Sequence, residues 1–280
     1  MSPAPPPDLR RCVENALRED VGTRDLTAQL VPDEPSDASI TCREEAVLCG
    51  RPYAEAVFRS LDSGVRLDWS AADGDRVPAG GLLCRLHGRA RALLTGERSA
   101  LNFLQTLSAT ATAASRYVEA VAGTGATILD TRKTLPGLRL AQKYAVRCGG
   151  ARNHRLGLYD GILIKENHIA AAGSIRAAVE AARPLSSAAP VEVEVETLEE
   201  LREALDARAD IVMLDDFTLE AMREAVAMNR AHRSPAKLEA SGGVDLTTVR
   251  TIAETGVDYI SVGSITKHVR AIDLSMRFDG

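Results

Sequence analysis

The stretch VEVEVETLEELREALDARADIVML, residues 191–214, decides the fold because it contains a complete strand, helix and strand unit. Val191 to Glu196 alternate strictly between valine and glutamate, which is typical of a β-strand with two different faces. A helix-like segment follows, and residues 210–214, which are apolar after Asp210, indicate a second short strand. This β-then-α order predicts parallel strands covered by helices.

The same unit recurs through the second half of the chain. Six strands are predicted there, at residues 126–130, 161–165, 191–196, 210–214, 237–240 and 259–263. Because about 140 residues fall short of the ~250 of a full eight-fold barrel, we expect an incomplete or compact α/β barrel. A doubly wound open sheet is the alternative.

The first part of the chain follows a different pattern, in which short strands mix with helices. Residues 64–69 alternate at period two, and residues 92–121 carry leucines at helical spacings of three and seven. We therefore divide the chain into an N-terminal α/β domain, residues 1–115, and a barrel domain, residues 116–265. Residues 266–280 are expected to pack back on the first domain.

Composition narrows the classes of function. The net charge of −5 gives no reason to expect nucleic-acid binding, and no apolar run approaches the ~20 residues of a membrane helix. The five cysteines are widely spaced without metal-ligand spacing, which favours reduced thiols over a metal or redox role. We expect a cytoplasmic protein without a membrane anchor.

Chemically unusual residues lie at or just after the carboxyl ends of the predicted strands, the edge where α/β proteins bind ligands. Between residues 132 and 165 there are eight lysines or arginines against the single acid Asp160. Five positions there suit recognition of carboxylates and phosphates: Arg132, Lys133, His154, Arg155 and Lys165. The ligand is expected to carry several negative charges.

The glutamates of residues 191–196 need a cationic partner. If the valines pack under the helices, Glu192, Glu194 and Glu196 point into the barrel, where an unpaired carboxylate is costly. Lysines, arginines or a metal chelated by a phosphorylated substrate would serve, and Asp215 one strand along could join them.

Two glycine-containing turns follow the last two strands. Ser241-Gly242-Gly243 and Gly263-Ser264 each precede a helix candidate. Backbone N–H groups at such turns can approach an anion, so the pair predicts a phosphate cradle.

These features together fit the transfer of a phosphorylated sugar, with a divalent metal held mainly by substrate oxygens. The residues alone leave three other classes open. They are a Schiff-base aldolase using Lys133 or Lys165, a phosphosugar isomerase using Glu194 as base, and a non-catalytic anion-binding barrel.

A series of motifs resembles the quinolinate phosphoribosyltransferase family, in the right order from about residue 9 to residue 279. The motifs are EDVGTRDLT at 19–27, GERSALNFLQ at 96–105, DTRKT at 130–134, KYAVRCGG at 143–150, NHRLGLYD at 153–160, IKENH at 164–168 and VEVEVE at 191–196. The resemblance implies an N-terminal α/β sandwich followed by an incomplete α/β barrel of the seven-stranded type. It also implies decarboxylating transfer of phosphoribosyl from phosphoribosyl pyrophosphate to quinolinate in NAD biosynthesis, with Mg²⁺.

The resemblance further implies roles for individual residues. Arg132, Lys133, His154, Arg155 and Lys165 would hold the pyridine carboxylates and the pyrophosphate, with Thr131 beside them. Glu194 and Asp215 would lie near the ribose hydroxyls and magnesium, without being assigned as direct metal ligands. Lys133, Lys165, Glu194 and Asp215 would act in catalysis. Ser241, Gly242, Gly243, Gly263 and Ser264 would cradle the 5′-phosphate.

Arg98, on the long predicted helix, would reach into the partner's site of a homodimer, and assembly beyond a dimer stays open. Two rival readings share the fold: a molybdenum-transport-associated phosphoribosyltransferase-like paralogue, and nicotinate phosphoribosyltransferase. Because both basic pairs of the family, Arg132-Lys133 and His154-Arg155, are present, the sequence favours a dicarboxylate-specific quinolinate phosphoribosyltransferase over these two alternatives.

Overall fold

The computed structural model describes residues 3–185 and 189–279 and contains two compact units. The first unit comprises Met1–Ser115, Thr134–Gly150 and Ile265–Gly280, and the second comprises Arg116–Lys133 and Ala151–Ser264.

The strands of the described residues are, in chain order, β1 (Pro35–Cys42), β2 (Ala46–Val47), β3 (Arg66–Trp69), β4 (Arg76–Val77), β5 (Leu82–Arg89), β6 (Thr127–Leu129), β7 (Ile162–Ile164), β8 (Val191–Val195), β9 (Ile211–Asp215), β10 (Lys237–Ser241), β11 (Tyr259–Ser261) and β12 (Leu274–Phe278). The α-helices are α1 (Leu9–Val21), α2 (Arg51–Leu61), α3 (Ala90–Ala120), α4 (Arg139–Cys148), α5 (Glu166–Ala172), α6 (Ile175–Ala182), α7 (Leu198–Asp206), α8 (Leu219–Ala231), α9 (Val249–Ala253) and α10 (Ser264–Lys267). Short 3-10 turns lie at Ala28–Leu30 and Arg183–Leu185.

The first unit is built on an antiparallel sheet in the order β12-β1-β5-β3. Alternation along β1 buries Ala38, Ile40 and Cys42, which join the core of this unit. The C-terminal strand β12 pairs antiparallel with β1. A β-sheet with helices packed against it accounts for the mixed pattern of the first part of the sequence.

Residues 134–150, which the sequence division places in the barrel domain, belong to the first unit. The reason lies in α4, whose side chains at Ala141, Tyr144 and Ala145 are buried in the core of that unit. The helix therefore belongs to the unit whose core buries its apolar face, although it follows the first barrel strand in the chain.

The second unit is a parallel sheet in the order β6-β11-β10-β9-β8-β7. Val191, Val193 and Val195 are buried, as a strand covered by helices requires. The helices begin where a polar side chain caps them: Ser174, Thr197 and Thr218 accept backbone N–H groups in the first turns of α6, α7 and α8.

The incomplete α/β barrel is confirmed, and its parallel sheet has six strands within the described residues where the resemblance implies seven. At the outer edge of β6, Arg152 makes only a single parallel bridge with Leu129. The next residues leave strand geometry and are bound to Asp130, whose carboxylate accepts a hydrogen bond from Asn153 Nδ2 at 2.8 Å and one from the backbone N–H of His154 at 2.8 Å. No pairing in the described ranges joins β7 to β6, and the barrel is incomplete.

Among the described helices, none has both the length and the apolar character that crossing a bilayer requires.

Candidate active site

The parallel register brings the strand ends to one edge of the sheet. Asp215 stands opposite Ser241, and Val195 stands opposite Leu214. Between β11 and β6, which lie at the other end of the strand order, the backbone N–H of Val262 donates to the Leu129 carbonyl at 2.9 Å. Residues that follow these strands therefore lie along a common edge.

The loop after β6 lies against the turn after β11. The backbone N–H of Lys133 donates to Thr131 Oγ1 at 3.1 Å, which fixes the start of the loop. A Cβ atom on Gly263 would lie 3.2 Å from Lys133 Cδ and 3.5 Å from Thr131 Oγ1. Glycine at this position thus lets the two predicted binding segments approach closely.

Two arginines of the predicted cluster lie close enough to influence each other. Burial, reinforced by the charge of Arg132, lowers the pKa of the Arg155 guanidinium, while Glu192 and Asp160 oppose this shift. The Nε atom of Arg132 is buried and has no hydrogen-bond partner among the described residues. Two neighbouring guanidinium charges, one of them with an unsatisfied buried N–H donor, favour the binding of an anion.

A loop held by its own carboxylate carries Arg155. Asp160 accepts the backbone N–H groups of Leu156 at 2.8 Å and Gly157 at 2.9 Å. The Arg155 side chain donates from Nη1 to the Gly161 carbonyl at 3.3 Å. Asp160, the single acid of this basic stretch, therefore shapes the loop that presents the arginine.

His154 faces two carboxylates inside the barrel. Its Nε2 atom lies 3.0 Å from Glu192 Oε2 and 3.7 Å from Glu239 Oε2. The Glu239 side chain is wholly buried, and burial together with the charge of Glu192 raises its pKa to about 8. Three titratable groups thus form one buried cluster.

At the end of the neighbouring strands, Lys165 pairs with Glu194 through a hydrogen-bonded ion contact. Glu196, in contrast, is exposed, so the expectation that all three glutamates point into the barrel is wrong for this residue. The strand ends at Val195, and alternation no longer governs the next side chain.

The turn after β10 requires glycine. Gly242 has φ of +97°, and a Cβ atom there would lie 1.9 Å from Asp216 Oδ1. Asp216 itself has φ of +53° and donates its N–H to the Ser241 carbonyl at 3.1 Å. Gly242 and Gly243 help to line a cavity of about 280 Å³. Ser264, after β11, lies 3.0 Å from the Tyr117 hydroxyl.

A cavity of about 500 Å³ lies beside His154 and Arg155. Its wall includes Ile162, Ile211 and Tyr259, the first residues of their strands. This cavity therefore extends from the charged cluster towards the amino ends of these strands, whereas the sequence indicates a site at their carboxyl edge.

Comparison with known proteins identifies the family. The model of the quinolinate phosphoribosyl transferase N-terminal domain matches residues 25–108, and that of the C-terminal domain matches residues 110–277. The chain belongs to the quinolinate phosphoribosyltransferase family.

Members of the quinolinate phosphoribosyltransferase family resemble this chain over nearly its full length. A probable nicotinate-nucleotide pyrophosphorylase (carboxylating) of Bacillus subtilis is 43% identical over 270 residues, which cover 96% of this chain and 92% of that protein. The corresponding Mycobacterium leprae protein is 40% identical over 272 residues, 95% of this chain and 96% of its own. The structure of the nicotinate-nucleotide pyrophosphorylase from Francisella tularensis superposes with a TM-score of 0.95 at 48% identity, covering 99% of this chain and 98% of that one.

The quinolinate phosphoribosyltransferase fold also contains residues that sequence reasoning did not assign to the site. Asp130 is buried and holds the backbone of His154, and Glu239 is buried beside the His154 ring. Signals for both were present, because Asp130 begins the DTRKT motif and Glu239 interrupts an apolar strand. Arg98 lies exposed on α3 in the first unit.

Two groups of side chains in the described residues bring three metal-ligand atoms within 4.8 Å of one another: Cys49, Asp73 and Cys148, and His154, Glu192 and Glu239. In the first group, Asp73 already accepts the N–H groups of Gly50 and Arg51 and the Tyr144 hydroxyl. Its carboxylate is therefore engaged in holding the protein backbone.

Proposed function

We propose that this chain transfers the phosphoribosyl group of phosphoribosyl pyrophosphate to quinolinate, with release of pyrophosphate and carbon dioxide and formation of nicotinate mononucleotide. The observation that carries the proposal is the juxtaposition of Arg132 and Arg155. Two guanidiniums that repel each other, one with a buried and unpaired N–H, suit a ligand with adjacent carboxylates.

Quinolinate, a planar dicarboxylate, fits this arrangement by charge and geometry. Arginine offers a bidentate fork to each carboxylate. Lys165 adds a point charge, although its pairing with Glu194 means that substrate must share or displace that contact. His154, the remaining residue of the basic set that the sequence predicts, precedes Arg155 in the chain, and its ring accepts the Arg155 backbone N–H at 2.7 Å.

The phosphorylated substrate is expected at the glycine turns. Gly242, Gly243 and Gly263 permit close approach of backbone N–H groups to a phosphate, and Ser241 and Ser264 flank them. Lys133, whose side chain lies against Gly263, is suited to balance the charge of the departing pyrophosphate.

The carboxylates fit the presence of Mg²⁺. Glu194 and Asp215 lie on the neighbouring strands β8 and β9 and offer oxygen atoms, the ligand type that Mg²⁺ prefers. When bound, chiefly by substrate oxygens, the ion would supply charge neutralisation for the pyrophosphate. Glu194 and Asp215 would be the protein groups near it.

Charge development explains the reaction. The pyridine nitrogen attacks the anomeric carbon as its bond to pyrophosphate breaks, and positive charge builds on the ribose ring. Glu194 and Asp215 oppose that charge electrostatically. In the pyridinium adduct formed by this attack, the 2-carboxylate departs as carbon dioxide, the electron pair left on C2 is stabilised by the adjacent positive nitrogen, and C2 then takes a proton from solvent. This step needs positioning more than a dedicated acid or base.

Arg98 completes the proposed site from a second subunit. Its exposed position on α3 and its place in the GERSALNFLQ motif support a homodimer in which it reaches the partner's substrate. A cytoplasmic location is part of the same proposal. All five cysteines, which lie in the described residues, are free thiols and suit a reducing compartment.

A product assay tests the proposed function. Purified protein with Mg²⁺ and phosphoribosyl pyrophosphate receives quinolinate in one reaction and nicotinate in another, and mononucleotide and carbon dioxide are followed. Formation of both products from quinolinate alone is the expected result. No turnover of quinolinate by a folded preparation would contradict the proposal and favour the molybdenum-transport-associated paralogue or a non-catalytic barrel.

A further inference from the structure

Both ring nitrogens of His154 contact neighbouring groups. Nδ1 accepts the backbone N–H of Arg155 at 2.7 Å, and Nε2 lies 3.0 Å from Glu192 Oε2. Because Nδ1 faces a donor, the ring proton must be on Nε2, which then donates to the Glu192 carboxylate. The geometry therefore specifies one neutral tautomer of His154.

A second carboxylate lies behind this hydrogen bond. Glu239 is wholly buried, and neither of its side-chain oxygens has a hydrogen-bond partner among the described residues. Glu192 Oε1 is also buried and without such a partner. Two ionised carboxylates side by side in this buried cluster would repel each other and lose part of their hydration, so the pair is expected to hold one proton.

A metal ion is the other way to neutralise such a cluster, and the tautomer argues against it. A histidine that binds a metal through Nε2 presents a lone pair there and donates from Nδ1. Here Nδ1 of His154 accepts a backbone N–H, so Nε2 is the protonated nitrogen. A shared proton satisfies the geometry, and a metal ion does not.

The cluster connects directly to the arginine proposed to bind substrate. His154 holds the backbone of Arg155, and the charge of Glu192 also reaches the Arg155 guanidinium. We propose that Glu192 and Glu239 are positioning residues, which share one proton and, through neutral His154, fix Arg155 against a carboxylate of quinolinate. This inference rests on the proposed function and deepens it.

The pH response follows from the groups around Glu239. His154 faces it from the segment before β7, Glu192 from β8 and the Ser261 hydroxyl from β11. Burial and the charge of Glu192 raise the pKa of Glu239 to about 8, whereas positive charge on His154 and the nearby Ser261 hydroxyl act to lower it. Above that pH the pair loses its shared proton, repulsion separates the carboxylates, and the KM for quinolinate is expected to rise while kcat changes less.

Steady-state kinetics from about pH 6 to about pH 9.5 test this in the full-length enzyme. Glu239→Gln, whose amide imitates the protonated acid, should abolish the alkaline rise in the KM for quinolinate. Glu239→Leu should raise that KM at least about tenfold at neutral pH, and Glu239→Gln should recover most of this loss. An alkaline limb that is the same in Glu239→Gln as in the parent would overturn the proposal.

A measurement without turnover separates this inference from the proposed function. The chain has five histidines, so ¹⁵N-histidine labelling with a His154→Gln variant for assignment can report the state of the His154 ring. A neutral ring protonated on Nε2 at pH 7 is expected. A cationic ring or a proton on Nδ1 refutes the proposed hydrogen-bond network, even if the enzyme makes nicotinate mononucleotide. A failed product assay in a protein with the expected tautomer refutes only the proposal that quinolinate is the substrate.

Discussion

Gly242 lies so close to Asp216 that a Cβ atom on the glycine would be 1.9 Å from the Asp216 Oδ1 atom. The backbone at Gly242 is also left-handed, with φ of +97°. The turn after β10 therefore packs directly against the turn after β9, and both turns lie at the edge of the sheet where phosphate binding is proposed.

Gly242→Ala should therefore raise the KM for phosphoribosyl pyrophosphate by about tenfold or more and lower the melting temperature. Left-handed backbone alone costs alanine about 1–2 kcal/mol, and the collision adds to it. Gly243→Ala is the matched control, because φ there is +56° and the added Cβ meets open space. Equal effects of the two variants would show that strain, and not the contact with Asp216, governs the turn.

Glu194→Gln should lower kcat about a hundredfold, because it removes a negative charge placed to oppose positive charge on the ribose. The check is a steady-state comparison with Lys237→Ala. This variant breaks the exposed ion pair between Lys237 and Asp258, which both lie at the amino ends of the strands, away from Glu194. That control should lose less than about 1 kcal/mol of unfolding free energy and keep its kcat. A Glu194→Gln enzyme with the parent's kcat would remove the carboxylate from catalysis.

Arg155→Ala should raise the KM for quinolinate by about a hundredfold, which corresponds to loss of a charged bidentate contact. Arg155→Lys should recover only part of this loss, since lysine restores the charge without the fork. Arg176→Ala, an exposed arginine of α6, serves as the control for general charge. Unchanged affinity in Arg155→Ala would place the dicarboxylate elsewhere.

Glu239→Gln should make the protein more stable near neutral pH. The pKa of Glu239 rises from 4.5 to about 8 in the folded protein, so its contribution to stability is fully present below pH 4.5 and is lost as the pH rises through about 8. Glutamine has no such dependence. Thermal melts should show a higher melting temperature for Glu239→Gln at pH 7 to 8, with the difference vanishing near pH 4, while exposed Glu224→Gln shows no pH-dependent gap. A gap that widens on acidification would contradict the assigned protonation state.

Arg98→Ala and Lys133→Ala subunits should each be nearly inactive alone and complement one another when mixed. In a two-fold dimer, random mixing at equal ratio makes about half of the dimers mixed, each with one intact site, so about one quarter of the parent activity is expected. The measurement is activity after mixing, with dimer exchange verified by mass spectrometry of differently tagged subunits. Verified mixed dimers without activity would show that Arg98 does not act across the interface.

Much of the fold could be predicted because its signals are local. The alternation of Val191 to Val195 and the apolar run ending at Leu214 specify strands, and the long helix is visible in its leucine spacing. Each of the six predicted barrel strands is present in the structure, because strand formation here follows the periodicity of the chain.

Other features depend on which distant residues meet. Periodicity could not assign α4 to the first unit, because that depends on the core that receives Tyr144. Nor could it show that Arg152 contributes a single bridge in place of a seventh strand, since Asp130 turns the following residues away through contacts more than twenty positions apart.

The sequence by itself determined the strand and helix order, the family, and the basic and acidic residues that gather at the strand ends, because these are properties of spacing and residue type. Only the tertiary structure decided which of them touch: Lys165 with Glu194, Gly242 with Asp216, and His154 with Glu192 and Glu239. The physical reason is that burial and charge coupling depend on distance in space. A glutamate in the middle of an apolar strand becomes a proton-sharing partner only when the barrel brings a second carboxylate and a histidine beside it.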